Sequence, residues 1–480
     1  MNTYHELEQA AEKAGIYPLR SAQVPALKAW AEGKDLLIIW PTGSGKSLCY
    51  QLPSLVGEGL VLVVSPLIAL MEDQVIKARA LGCEATCIHS KVPSQDRQKR
   101  LERLARGEIR LLYVTPERFK NPAFLEVMKG LKVKLLAVDE AHCISQWGHD
   151  FRPDYSRLGE IRKSLGNPQT MALTATATRQ VQADILVQLN LPKETLTLWE
   201  GVERPELVLE AVEAEHPDDK VELIKEWLGE VKGPKIAYFT LISSLEKMRD
   251  KISGEIWVYH GDLEARDRSR AQKAFMASED GIMFATPAFG LGVDKANIRG
   301  VLHAETPSSL ESYFQEVGRA GRDGQTSFGR LLYCQEDLET QMRFIESLTP
   351  DPAYLKSVYE LLVKWQDRLT TITLEDLKEQ LSFKNTRDMR LETALNQLER
   401  WDVIRYPHRQ LKKLEILREL TEDDLQPELW AKRKKALQMK LLQLVQWFRS
   451  EECRVVGINR YFGWPSETPC GKCDRCREKN

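Results

Sequence analysis

The chain has 480 residues, of which 42% are hydrophobic and 29% charged, and its formal net charge is −2. That length is too great for one hydrophobic core and predicts roughly three or four domains, while the near-neutral total by itself announces no polyanionic partner. No apolar run approaches the ~18 residues that span a bilayer, and the acidic N-terminus MNTYHELEQAAEKAG lacks an apolar signal core, so a cytosolic protein with no membrane partner is expected.

In chain order, short apolar runs first alternate with longer amphipathic stretches: Leu36–Trp40, Leu60–Ser65, Leu111–Val114, Leu135–Val138 and Met171–Leu173. Runs this apolar suit strands of a parallel sheet buried on both faces. The alternation resumes with Ile236–Phe239, Ile256–Tyr259, Ile282–Ala285, Val301–His303 and Leu331–Tyr333, so two consecutive α/β domains are expected, joined near Gly201–Ala214, where Pro205 and charged residues interrupt the pattern. Beyond about Asp351 the pattern turns helical. Thr373 can N-cap a helix with Asp376 three residues on and Leu374, Leu377 and Leu381 on one face. A second helix carries Leu391, Ala394, Leu395 and Leu398. Val403–Tyr406, a Pro407-His408 turn and an extended run near Leu411–Leu417 complete the order of a winged helix. A last helix, about Glu428–Arg449, aligns Leu437, Leu441, Leu444 and Phe448.

Charge and cysteine are uneven along this order. Residues 351–480 hold 25 Lys+Arg against 21 Asp+Glu, a net of +4 that leaves −6 for residues 1–350, and this skew favours a nucleic-acid-facing C-terminal part. Of nine cysteines, Cys49, Cys83, Cys87, Cys143 and Cys334 stand singly in apolar surroundings as expected buried thiols. Cys453, Cys470, Cys473 and Cys476 cluster, and an intracellular setting points this cluster to metal rather than disulfides.

Three motifs carry chemistry. After the first apolar run, WPTGSGKS (40–47) reads as a tight loop opening a helix, a variant P-loop with Trp40 where the strict pattern has glycine. Gly43 and Gly45 let backbone N–H groups converge on phosphate oxygens, Lys46 supplies a point charge for the β/γ-phosphates, and Ser47 offers a hydroxyl to magnesium. About ninety residues on, Val138–Tyr155 reads VDEAHCISQWGHDFRPDY. Asp139 suits magnesium and Glu140 suits aligning and deprotonating the attacking water. The same peptide continues into Trp147, His149, Phe151, Arg152 and Tyr155, residue types that stack on bases and touch phosphates. Leu173–Thr178, LTATAT, ends a strand in small hydroxyl residues suited to relaying phosphate state between domains. In the second α/β domain QEVGRAGRDG (315–324) spaces Arg319 and Arg322 on one helix face, where arginine can stabilise charge on a transferring phosphate.

These segments, with VSPLIALMEDQV (64–75), VTPERF (114–119), YHGDL (259–263) and ATPAFGLGVDK (285–295), resemble the RecQ family of superfamily 2 helicases over about residues 14–340 and again at the C-terminal cysteines. The resemblance implies two tandem RecA-like parallel-sheet domains (1–205 and 206–345), a helical winged-helix-like module (346–425) and a small zinc-binding module (426–480). It implies ATP, Mg2+ and Zn2+ as cofactors. Lys46, Asp139, Glu140, Gln315, Arg319 and the arginine finger Arg322 are implied as catalytic. Arg20, Gln23, Pro41, Thr42, Gly43, Ser44, Gly45, Lys46, Ser47, Asp139 and Asp294 are implied to bind nucleotide, Gln23 with Arg20 at adenine and Asp294 at the ribose. The family's usual adenine-stacking aromatic is Ile16 here, with Tyr17 one place on.

Trp147, His149, Phe151, Arg152 and Tyr155 are the implied DNA contacts, and Cys453, Cys470, Cys473 and Cys476 the implied zinc ligands, four thiolates making a closed tetrahedral site. In most family members the zinc module precedes the winged helix; here it follows, and the strand-separating hairpin falls to Val403–Leu417. The implied activity is ATP-driven 3′-to-5′ translocation on single-stranded DNA with unwinding of forked or duplex DNA in repair or recombination. A monomer is expected, cytoplasmic and nucleoid-associated, with single-strand-binding or repair proteins as candidate partners. Two alternatives stand beside it: a translocase or remodeller without strong strand separation, and a DNA-binding scaffold with weak ATPase.

Overall fold

A computed structural model describes residues 3–145, 147–148, 151–200, 204–290, 293–381, 389–407, 410–425, 427–464 and 466–479. The chain divides into two compact units, residues 1–333 with 447–480, and residues 334–446.

Within the first unit the described strands β1 (Leu36–Ile39), β2 (Leu60–Val64), β3 (Ala85–Ile88), β4 (Leu111–Val114), β5 (Val133–Val138), β6 (Thr170–Thr174) and β7 (Leu196–Trp199) form one sheet in the order β3-β4-β2-β5-β6-β1-β7. Every pairing is parallel. Strands β1, β2, β4 and β6 are buried at every residue, as a sheet covered by helices on both faces requires. Because all strands run the same way, their carboxyl ends lie on one edge. The P-loop leaves β1 there, Asp139 and Glu140 leave β5, and the LTATAT residues leave β6, which is where ligands bind in open parallel sheets.

A second parallel sheet follows, with β8 (Leu207–Glu213), β9 (Lys235–Tyr238), β10 (Ile256–Tyr259), β11 (Ile282–Ala285), β12 (Gly300–His303) and β13 (Ser327–Tyr333) in the order β10-β11-β9-β12-β13-β8. Its edge strand β8 corrects the sequence expectation of a linker over Gly201–Ala214. Residues 207–213 pair in full with β13 despite the charges of Glu210 and Glu213. Those charges have partners on the C-terminal segment: Glu210 with Arg477, Glu213 with Arg449 at 2.5 Å. Asp474 accepts the Ala211 amide at 3.3 Å and is itself held by the buried Arg454 at 2.8 Å. The segment thus covers the open edge that β8 would otherwise present. Strands β3 and β7 also went beyond the apolar runs.

The second unit, 334–446, holds the described helices Asp337–Leu348, Pro352–Lys364, Leu374–Gln380 and Arg390–Arg400, the strands β14 (Ile404–Arg405) and β15 (Glu415–Ile416), and the start of Pro427–Arg449. The expected Thr373 cap forms: the Thr373 amide donates to Asp376 at 2.7 Å and the Asp376 amide to the Thr373 hydroxyl at 3.2 Å. Leu391, Ala394, Leu395 and Leu398 join Leu355, Leu362, Val403 and Ile404 in one core. Strands β14 and β15 pair antiparallel over two residues each, and Tyr406, expected near the tip, is buried; His408 and Arg409 lie outside the described residues. No described helix is long and apolar enough to cross a membrane.

Candidate nucleotide cleft and its adjoining loop

The P-loop turns sharply at Gly43 and Gly45, with φ of 86° and 87°, conformations that cost a side chain dearly. A Cβ at Gly45 would also lie 2.6 Å from the Gln23 side chain. Gln23 donates to the Gly45 carbonyl at 3.1 Å and accepts from the Arg20 amide at 3.0 Å, while the Arg20 guanidinium donates to the Gly43 carbonyl at 2.7 Å. Arg20 and Gln23 therefore brace the loop through its carbonyls, and Tyr17 nearby in sequence is 51% exposed. Pro41 and Thr42 lead into the turn, and the Ser44 hydroxyl donates to the Pro41 carbonyl at 2.8 Å. Lys46 folds back onto the carbonyls of Trp40 and Pro41 at 2.7 and 3.0 Å. Burial lowers its ammonium pKa, and the Glu140 and Asp139 carboxylates pull it back up in part. Ser47 follows it on the helix Lys46–Gln51, at the mouth of the same turn.

Asp139 sits at the end of β5, and burial, then the neighbouring Glu140 charge, push its carboxyl up to about 7. A pair of half-buried carboxylates facing one lysine is a site that a divalent cation would complete, and the oxygen donors fit magnesium. Glu140 occupies the left-handed region at φ 48°, uncommon for a residue with a side chain and a form of strain that gathers at functional sites. Its carboxylate lies 3.3 Å from His142 Nδ1, and the buried His142 ring meets the Thr174 hydroxyl at 2.9 Å. Thr174 in turn donates to the Thr176 carbonyl at 3.1 Å. His142, inside the DEAH tetrapeptide and unassigned from the sequence, thus links Glu140 to the LTATAT strand end.

The loop beyond this floor folds back upon it. The Arg152 amide donates to the Cys143 carbonyl at 2.9 Å, and a Cβ at Gly148 would lie 2.4 Å from the His142 carbonyl oxygen, so that position admits no side chain. Tyr155, expected among DNA contacts, is fully buried instead, and its hydroxyl donates to the Asp139 carbonyl at 3.1 Å. It fastens the loop to the backbone of Asp139. The Arg152 guanidinium donates to the Pro66 carbonyl at 3.0 Å. Trp147, Phe151 and Arg152 are half-buried, leaving part of each side chain to solvent; His149 lies outside the described residues.

The far wall comes from the second sheet. The helix Leu310–Val317, N-capped by Ser309, carries Gln315 but ends before Arg319 and Arg322, which stand on the turn after it rather than on the expected helix face. Arg319 is buried and packs so closely on Gly290 that a Cβ there would lie 2.7 Å from its Nη2. Arg322 lies against the P-loop, its Cγ 3.4 Å from where a Gly43 Cβ would stand, and a Gly318 Cβ would lie 3.2 Å from the Thr42 hydroxyl. The Arg322 guanidinium donates to Asp294 at 2.7 Å and to the Val293 carbonyl at 3.2 Å. Arg204 bonds the Gly318 and Ala320 carbonyls at 3.2 and 2.6 Å and steadies the turn before Arg322.

The ligand atoms of Cys453, Cys470, Cys473 and Cys476 lie within 4.8 Å of one another. Tetrahedral zinc with sulfurs at about 2.3 Å separates them by about 3.8 Å. Cys453 and Cys473 lie at 3.9 Å, Cys470 and Cys476 at 4.0 Å, so the set fits that ion. The amides of Cys470 and Cys473 point at the sulfurs of Cys453 and Cys470 at 3.2 and 3.4 Å, a polarity that favours thiolates.

Residues 20–184 match the DEAD/DEAH box helicase model, 219–324 the helicase conserved C-terminal domain and 412–477 the RecQ zinc-binding model. The probable ATP-dependent DNA helicase RecS of Bacillus subtilis (strain 168) is 39% identical over 359 residues, covering 74% of this chain and 72% of that protein. The ATP-dependent DNA helicase RecQ of the same organism is 41% identical over 338 residues, 69% of this chain and 56% of its own length. RecQ of Pasteurella multocida (strain Pm70) is 40% identical, over 67% of this chain and 51% of its own, so the chain spans about half the length of these two relatives. Among solved structures, S. cerevisiae Dbp5 bound to RNA and ADP BeF3 aligns with a TM-score of 0.56 at 16% identity, covering 71% of this chain and 90% of that one. The DUF1998 helicase MrfA bound to DNA and AMPPNP gives 0.56 at 20% identity, covering 70% and 51%. At such identities these structures speak for the fold alone.

Proposed function

The chain belongs to the RecQ family of ATP-dependent DNA helicases, and from that premise we infer that it moves 3′ to 5′ along single-stranded DNA and separates forked duplex. The observation that carries the reading is the convergence, on one edge of the first sheet, of the P-loop, the Asp139–Glu140 pair and Arg322 from the second sheet. Lys46 releases the loop carbonyls to take the β/γ-phosphates, the P-loop amides cradle them, and Arg20 and Gln23 hold the adenine end. Ser47 and Asp139 would hold a magnesium ion, which neutralises phosphate charge when bound. Glu140 orients and deprotonates the water, with His142 holding its carboxylate in place. Arg322, with Gln315 and Arg319 beside it, faces the γ-phosphate as the finger.

DNA enters this scheme through Trp147, His149, Phe151 and Arg152. Tyr155 joins that loop to Asp139, so DNA occupancy can alter the carboxylate that must hold the metal. A monomer acting in the cytoplasm at the nucleoid, in repair or recombination and alongside single-strand-binding proteins, completes the proposal. Unwinding assays on duplexes with a 3′ or a 5′ single-stranded tail test it. Displacement on the 3′-tailed duplex alone is expected, and displacement on the 5′-tailed duplex alone would reverse the polarity. A second reading, translocation without strong strand separation, is favoured by one feature: the hairpin strands β14 and β15 are two residues each, a short wedge. DNA-stimulated ATPase without displacement on any tailed duplex would select it.

A further inference from the structure

We infer that Lys77 is a positioning residue that ties the first sheet's helix Ile68–Ala80 to the arginine finger across the cleft, with Asp294 as the shared anion. The inference rests on the reading of Arg322 as the finger. Lys77 Nζ lies 2.5 Å from one Asp294 oxygen, and Arg322 Nη1 lies 2.7 Å from the other. One carboxylate therefore separates two cations that would otherwise repel, one brought by each sheet. Burial alone would raise the Asp294 pKa, but the Lys77 hydrogen bond and the Arg322 charge outweigh it and leave the carboxyl below its ordinary range.

The anchor behind Lys77 is firm. Gln74, one turn earlier on the same helix, accepts from the Gln51 amide at 2.8 Å, and Gln51 also reaches the Tyr113 hydroxyl at 3.1 Å; all three side chains are buried. Gln51 belongs to the helix that opens at the P-loop. The helix Ile68–Ala80 is thus fixed to the P-loop helix on its buried side and reaches the finger from its exposed side. Lys77 has a second partner in Asp73 on its own helix at 2.8 Å, which aims the ammonium along the helix flank.

Lys77 and Asp294 are 44% and 51% exposed, so their attraction is small and reversible. A contact of that strength suits a cleft that must open and close at each turnover; a stronger one would hold it shut. Lys77 favours the arrangement in which Arg322 already lies over Gly43, and it does so without touching nucleotide. Its removal is therefore read as weaker apparent ATP binding with little change at saturation.

The experiment compares wild type, Lys77→Met and Lys77→Arg in the full chain, measuring DNA-stimulated ATPase against ATP concentration at low and high salt. For Lys77→Met we expect KM for ATP to rise about two- to fivefold at low salt, the range open to an exposed ion pair, with kcat within about twofold of wild type. Raising salt should raise both KM values and narrow the gap between wild type and Lys77→Met. Lys77→Arg should restore the wild-type KM. Lys77 is exposed enough that thermal melting should be unchanged in all three. A Lys77→Met KM and salt profile like wild type overturns the inference, as does a loss confined to kcat. If wild type itself shows no DNA-stimulated ATPase, it is the parent reading of the cleft that fails.

Discussion

The floor of the cleft and its far wall hold their charged groups in different ways. On the floor, His142, Thr174 and Tyr155 are buried and hydrogen-bonded, Tyr155 to the Asp139 carbonyl and His142 to Thr174, with Glu140 in a left-handed backbone. On the far wall, Arg322 finds its anion in the half-exposed Asp294, which is shared with the half-exposed Lys77. Buried polar groups cost much to leave unpaired, whereas exposed ion pairs form and break with little change in free energy. The floor's contacts are therefore costly to break, whereas the wall's Asp294–Lys77 pair can open and re-form cheaply. That contrast suits the proposed helicase cycle, in which the groups placed at the attacking water keep their geometry while the cleft opens.

The largest effect is expected at the floor. Glu140→Gln should lower DNA-stimulated ATPase by at least about a hundredfold, the scale of a lost general base, while nucleotide binding by fluorescent-analogue titration stays within a few-fold. Next in size is the support of the wall. Because Arg449, Asp474 and Arg477 around the cysteines cover the edge strand β8, Cys470→Ala should lose the bound zinc and lower the melting temperature. Metal analysis finding zinc and melting unchanged would remove the structural site.

A smaller effect returns to the floor. Tyr155→Phe leaves the Asp139 carbonyl without its donor, worth about 1 kcal/mol, and should reduce DNA stimulation about fivefold with basal ATPase preserved. A loss equal in basal and stimulated rates would make Tyr155 a plain core residue. The smallest effect sharpens the contrast itself. Salt should raise KM for ATP modestly through the exposed wall and leave kcat, which the buried floor sets, nearly constant.

Much of this was legible in the sequence. The aliphatic runs that became the inner strands are buried at nearly every position, so their composition alone identifies them. The Thr373 and Asp376 cap and the cysteine spacing were likewise local patterns. What escaped has a physical reason in each case. Strand β7 is an edge strand whose ends Leu196 and Trp199 are partly exposed, so it needs no continuous apolar run. Strand β8 carries Glu210 and Glu213, whose charges are met by arginines more than two hundred residues away. The inward turn of Tyr155 depends on its reach to a carbonyl on another element, which no spacing reveals. The pairing of Lys77 with Asp294, 217 residues apart, exists only once both sheets are folded.

The central claim is that one peptide, from Asp139 to Tyr155, joins hydrolysis to DNA. The most direct measurement is ATP turnover by Trp147→Ala with and without single-stranded DNA, alongside its nucleotide affinity. Affinity and basal turnover should match wild type, and stimulation by DNA should be lost, when that peptide carries the coupling. Stimulation at the wild-type level would contradict it.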